Sequence, residues 1–268
     1  LSPPSSPPEP QAPPPPSPSP PPPSLKPNSM PCSFTCTTAS IDSQDRTAEE
    51  VALSGEVNMG SSDLELMQDE GNLQIVGVQF PQVQIPPGAT IVSASILFTV
   101  DGVDALSFRP VTISISAERI AHAFEFVENP FDLSSRQLTA SSVSWQAPTS
   151  TDTTAVGDDL RTADLSTIMQ EIVNLPLWQA GNTMSFLFRH VDGTGQREVE
   201  SVPTQNEDQS VVTPALQIEW HLPPPPATST PSLLTTTTTA ASSTVATATW
   251  ATATLTPWGV YRYCSEAM

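Results

Sequence analysis

Three histidines, 28 carboxylates and three cysteines are the groups in this 268-residue chain able to move a proton, hold a metal or form a bridge. Among the acids, Asp158-Asp159, Asp152 and the Asp63/Glu65 pair are candidates for the two carboxyl groups of a glycosidase, one protonated and one charged. Asp101, Asp104, Asp158 and Asp159 are candidates for a loop Ca²⁺ site, because Ca²⁺ takes oxygen ligands in flexible geometry. Solvated loop acids are the competing reading. His122 precedes Phe124 and Phe126, which suits a structural role. His190 sits beside the Asp192-Gly193 turn and reads as exposed, and His221 falls on the polar face of a strand. No Gly-x-Ser-x-Gly elbow, phosphate loop or His-Glu-x-x-His occurs. No catalytic residue is assigned, and a non-enzymatic protein is expected.

Cys32, Cys36 and Cys264 leave an odd count. One internal bridge with a leftover thiol, or a bridge between chains, fits a secreted setting. Cys32-x₃-Cys36 lacks the second pair or nearby histidine that Zn²⁺ normally takes. Sugar recognition needs exposed aromatic rings, yet both tyrosines, Tyr261 and Tyr263, lie near the end of the chain. Trp145 and Trp220 share the parity of Val143 and Ile218 and read as core. Trp178, just past a predicted helix, is the one candidate sugar platform.

The elements that must position these groups are β-strands. Val92, Ala94, Ile96, Phe98 and Val100 fall on one face and Ser93, Ser95 and Thr99 on the other, with Leu97 the exception. Val111, Ile113, Ile115 and Ala117 alternate with Thr112, Ser114 and Ser116. Val76, Val78 and Phe80, and then Leu216, Ile218 and Trp220, repeat the pattern. A period of two with one apolar face predicts half-buried antiparallel strands. Turn signals at Pro86-Pro87-Gly88 and Asp192-Gly193 separate them. The expected fold class is all-β, a jelly-roll-like antiparallel β-sandwich over residues 32–222. One exception is the stretch from Asp164 to Asn174. Ile168, Met169, Ile172 and Val173 recur there at helical spacing, with Asp164 as N-cap and Pro176 beyond the end.

Composition sets the surroundings. The net charge of −19 and a single lysine, Lys26, exclude nucleic acid as a partner and disfavour anionic membranes. No stretch of 18 apolar residues exists, so no membrane-spanning helix is expected. The chain opens Leu1-Ser2-Pro3 rather than with Met, and a processed or partial chain is expected. Sixteen of the first 31 residues are proline. Proline fixes φ and removes the backbone donor, so residues 1–31 are expected to form a polyproline II arm, stiffened by neighbouring copies or by sugar. Residues 223–232 read as a Pro-rich linker. Residues 233–268 read as a Thr/Ala-rich extended tail with an aromatic end, either a donated strand or a glycosylated stalk. No Asn-x-Ser/Thr sequon occurs, so any glycan is O-linked.

Two resemblances follow from quoted stretches. Ser19–Pro23 resembles the repeats of extensins and of hydroxyproline-rich wall glycoproteins of plants and volvocine algae. That resemblance implies hydroxylation and O-glycosylation of such prolines, with Pro13, Pro14, Pro15, Pro16, Pro20, Pro21, Pro22 and Pro23 as candidates. Pro223, Pro224, Pro225 and Pro226, and Thr235, Thr236, Thr237, Thr238 and Thr239, join them on composition. Asp45–Glu50, Ser61–Leu66, Val76–Phe80, Ile85–Ile91 and Leu160–Ser166 together resemble the DNRLRE or disaggregatase-related modules, which are similar to carbohydrate-binding modules. That implies a jelly roll over residues 40–221 and no fixed site motif. The resulting expectation is a self-associating structural subunit of an extracellular fibre or wall. The alternative is a stalked carbohydrate-binding or adhesion module. No cofactor beyond a structural Ca²⁺ is expected.

Overall fold

The structure, a computed structural model, describes residues 34–151, 154–201, 204–205 and 211–223. The polyproline arm, the linker past Pro223, the Thr/Ala tail, Cys32, Cys264 and Asp152 lie outside the described residues. In chain order the strands are β1 (Thr35–Ser40), β2 (Thr47–Val51), β3 (Val57–Asn58), β4 (Asp63–Leu66) and β5 (Gln68–Asp69). There follow β6 (Asn72–Val83), β7 (Thr90–Gly102), β8 (Val111–Ala117), β9 (Val143–Ala147) and β10 (Asp159–Arg161). Helix α1 (Ser166–Val173) precedes β11 (Asn182–Gly193), β12 (Arg197–Glu200), β13 (Thr204–Gln205), β14 (Val211–Val212) and β15 (Ala215–His221).

Two antiparallel sheets pack face to face, as the alternating strands require. The first runs β1-β15-β7-β12-β4, with β10 also on β7, and the second runs β3-β2-β6-β11-β8-β9, with β5 on β6. Between them lie Phe80, Ile96, Phe98, Ile113, Ile115, Phe186 and Phe188, all fully buried. Phe98 of the first sheet meets Phe188 of the second edge to face at 5.7 Å. Rings so placed align the positive edge of one with the negative face of the other.

The period-two reading of β8 holds: Val111, Ile113, Ile115 and Ala117 are buried. On β7 it holds from Ala94 onward but not at Val92, which is 39% exposed while its neighbour Ile91 is buried. The register between β15 and β7 slips where Glu219 faces Ser93 and Trp220 faces Ile91. Such an irregularity reverses which parity points inward.

β6 departs from alternation in another way. Val76, Val78 and Phe80 point to the main core, but Ile75 and Gln79 are buried as well. The long connection after β8 folds back over the outer face of the second sheet. Ala48, Ile75, Phe126, Leu133 and Leu187 form a second, smaller core beneath it. Gly77 suits this contact, since a Cβ there would stand 2.6 Å from the Phe126 ring. The Glu50 carboxylate accepts from the Leu133 and Ser134 amides at 2.7 and 3.0 Å and pins the connection down.

Helix α1 buries Ile168, Met169, Ile172 and Val173, the four residues its spacing predicts. Asp164 acts one step outside its predicted place. Leu165 is the N-cap. Asp164 Oδ1 accepts from the amides of Ser166 and of Ala94 on β7, so it ties the helix start to the sheet.

Candidate functional site

One group of acids lies at one end of β7. β7 starts at Thr90, opposite His221, and ends at Gly102, opposite Glu198. Twelve residue steps at about 3.3 Å place Gly102 roughly 40 Å along the strand from Thr90. There β4 and β12 pair so that Glu65 faces Glu198 and Asp63 faces Glu200. Like charges directly opposite on a ladder repel. Asp101 joins them, and one carboxylate oxygen each from Asp63, Asp101 and Glu198 lies within 4.8 Å of the others. Gly102 leaves room for this, since a Cβ there would collide with the Glu198 carboxyl.

Burial and like charge favour the protonated form of acids in this group. Glu49 on β2 is 5% exposed, and its Oε1 accepts from the Glu65 amide at 2.8 Å. This bond crosses from the second sheet to β4, an edge strand of the first. Burial pushes the Glu49 carboxyl up to about 9, helped by its side-chain hydrogen bond to Glu65 and by the Glu65 and Asp63 charges. Burial raises the Glu65 carboxyl as well, so the facing pair favours a protonated Glu49 over two charges. Burial also raises Glu198, and Asp63 and Asp101 add to the effect.

An open cavity of about 120 Å³ adjoins the acids. Ser107, Thr149, Ser150, Asp158, Asp159 and Glu198 line it, with Arg197. Arg197 is only 3% exposed. Its guanidinium donates to the carbonyls of Pro148, Gln196, Arg109 and Ala147, so it clamps three chain segments. Burial lowers its pKa.

The four predicted Ca²⁺ ligands do not converge. Asp101 is drawn to Asp63 and Glu198 instead. Asp104 caps its own turn, with Oδ1 accepting from the Leu106 and Ser107 amides and from the Ser107 hydroxyl. Asp158 Oδ2 accepts from the Ala155 amide. Asp158 and Asp159 instead line the cavity. Among the described residues, the group close enough to share one cation is Asp63, Asp101 and Glu198. A signal for it existed in Asp63-Leu-Glu65-Leu and Arg197-Glu-Val-Glu200, where acids alternate with buried residues. That these two strands pair was not readable.

Trp178 is a correction. It is 2% exposed, and its indole N–H donates to the Ile85 carbonyl at 2.9 Å. A ring sealed in the core offers no face to a sugar. Trp145 is buried as expected, whereas Trp220 is half-buried and donates to Thr37 Oγ1. The histidines serve the backbone. His122 Nδ1 accepts from the Thr183 amide, and His190 Nε2 lies 2.9 Å from the Gly193 carbonyl. His190 is half-buried within β11 rather than exposed in a loop. The His221 ring meets Phe34 edge to face at 5.9 Å. Cys36 lies on β1 opposite Glu219 and is not without a partner. No protein-family model matches the chain, and no curated protein matches it.

Proposed function

We propose that this chain is a non-enzymatic structural subunit of an extracellular glycoprotein fibre or wall, a folded bead carried on low-complexity flanks that bear O-linked sugar and drive self-association. One observation carries the reading. The first and last strands of the sandwich are neighbours, with Thr35 opposite Trp220 and Phe34 against His221. The described chain therefore enters and leaves the sandwich at one end, while the acids and the cavity lie toward the other end of β7. The net charge of −19 keeps neighbouring beads apart, so cohesion falls to the flanks.

Support for a non-enzymatic reading comes from how the reactive groups are spent. His122 and His190 meet backbone atoms, Asp104 and Asp158 cap turns, and Glu49 accepts from the Glu65 amide across the two sheets. The distal cavity, with its hydroxyl and carboxylate lining, favours adhesion to a small polyol as the second reading.

Mass analysis of residues 1–31 from native material tests the first reading. Oxygen-mass shifts on proline with attached pentose, together with non-covalent polymers by electron microscopy, are expected. Unmodified prolines on a monomeric protein would refute it. Retention on a polysaccharide column, lost on Asp159→Asn, would favour the second.

A further inference from the structure

We propose that the loop from Phe124 to Phe131 is an interaction surface, and that it takes residues Ser24 to Pro31 of a second copy, an apolar and basic stretch of the proline-rich arm. The proposal rests on the self-association reading above and names its partner surface.

The loop belongs to the connection that covers the second sheet. Phe124, Val127 and Phe131 are 69%, 44% and 46% exposed. Apolar residues scattered singly over a surface are ordinary, but three on one short loop form a patch that needs a reason. Phe131 carries a second sign. Its φ of 65° lies in the left-handed region, which a bulky side chain rarely enters. Such a conformation persists only where the surroundings fix it, and it clusters at functional sites. Here the Phe131 amide donates to the Gly55 carbonyl at 2.8 Å. Its ring lies so close over Gly55 that a Cβ there would collide with it. The ring is held in place and still exposed.

The rest of the loop is also fixed before any partner arrives. The Arg136 guanidinium donates to the Phe124 and Glu125 carbonyls at 2.9 and 2.8 Å, and to Asp132 at 2.8 Å. Asp132 Oδ2 accepts in turn from the Val127 amide at 3.4 Å. One cation therefore gathers both ends of the loop. Apolar surface held this way loses little freedom on binding.

The chemistry of the loop selects its occupant. Its apolar side chains are interleaved with Glu125 and Glu128, both exposed. The matching segment is apolar and carries positive charge. Lys26 is the single lysine of the chain, and it stands between Leu25 and Pro27. Proline has its φ fixed in advance, so a proline-bearing segment docks on aromatic rings at low entropic cost. None of the candidate sugar-bearing prolines falls within residues 24–31. Arg262, between Tyr261 and Tyr263 of the tail, has no proline beside it and is the competing occupant. A loop on one copy and an arm on the next are different surfaces. Their contact leaves a free loop and a free arm at the two ends, so it builds an open chain rather than a closed ring.

The test is photo-crosslinking in the full chain, with p-benzoylphenylalanine at position 124. Isotopically heavy chains bearing that residue are mixed with light unsubstituted chains and irradiated, and the linked peptides are identified by mass spectrometry. Links from heavy position 124 to light residues 24–31 are expected. Links to residues 257–268 alone, links between heavy peptides alone, or no links overturn the proposal. If such chains nevertheless polymerise by light scattering, self-association stands and this docking alone falls. If they stay monomeric, both fall. Two substitutions give an independent reading by sedimentation velocity. Phe131→Gly removes the ring and suits the left-handed φ, so the strands should keep their circular dichroism while association weakens by about tenfold. Lys26→Glu sets like charge against Glu125 and Glu128 and should weaken association as well. Undiminished association in either variant overturns the proposal.

Discussion

Glu49 concentrates the chemistry of the acidic end in one side chain. Its folded pKa of about 9 lies well above the ordinary glutamate value. Between the two values the folded chain binds a proton that the unfolded chain lacks. The stabilisation is complete below the ordinary value and drains away as pH rises toward 9. Melting followed by circular dichroism should therefore show a midpoint that falls from pH 5 to pH 9. Glu49→Gln keeps a donor and an acceptor without a titration, so it should flatten that slope. A slope unchanged in Glu49→Gln would place the proton elsewhere. Trp178 makes a second case at this scale. With its ring in the core and its indole bonded to Ile85, Trp178→Ala should cost about 3–5 kcal/mol in urea unfolding. Its position after a helix was readable, but its burial was not. Nothing in the local pattern says that Ile85, 93 residues earlier, supplies a carbonyl to the indole.

Among the elements, the strands were legible wherever one face meets the core and the other meets solvent. β8 is the clear instance, and α1 was equally plain from its four apolar residues. Alternation misleads where register slips, as at Val92, or where both faces are covered, as along β6. The cover over β6 comes from a connection whose sequence carries no strong periodicity. Phe126 and Leu133 reach inward, while Phe124 and Phe131 stay exposed. Arg136 braces it by pairing with Glu118 and Asp132, each at 2.8 Å, and by lying over the Phe126 ring at 4.7 Å. Glu50 is the anchor on the sheet side. Glu50→Ala leaves two amides under the connection without their acceptor, at about 1–3 kcal/mol for each such group. The expected outcome is faster hydrogen exchange across residues 126–136 with little change in β7 and β15. Uniform loss of protection would mean that the connection and the main core open together.

Among the described residues the strands run from 35 to 221, and the first and the last of them, β1 and β15, pair with each other. That adjacency separates a pendant bead from one strung in line. In a strung bead the flanks leave at opposite ends, and tension along the fibre passes through the sandwich. Here the ends of β1 and β15 that lead to the flanks face each other as Thr35 and Trp220. Spin labels on Phe34→Cys and Leu222→Cys, in a chain with its three cysteines replaced by serine, should report a separation near the lower limit of pulsed dipolar methods. Directly opposite residues on a ladder are about 5 Å apart, and the labels themselves add the rest. A label moved from residue 34 to exposed Asp104, past the other end of β7, should lie tens of ångströms from residue 222, since β7 alone spans roughly 40 Å. A long 34–222 distance with an intact melt would place the flanks at opposite ends and undo the pendant arrangement.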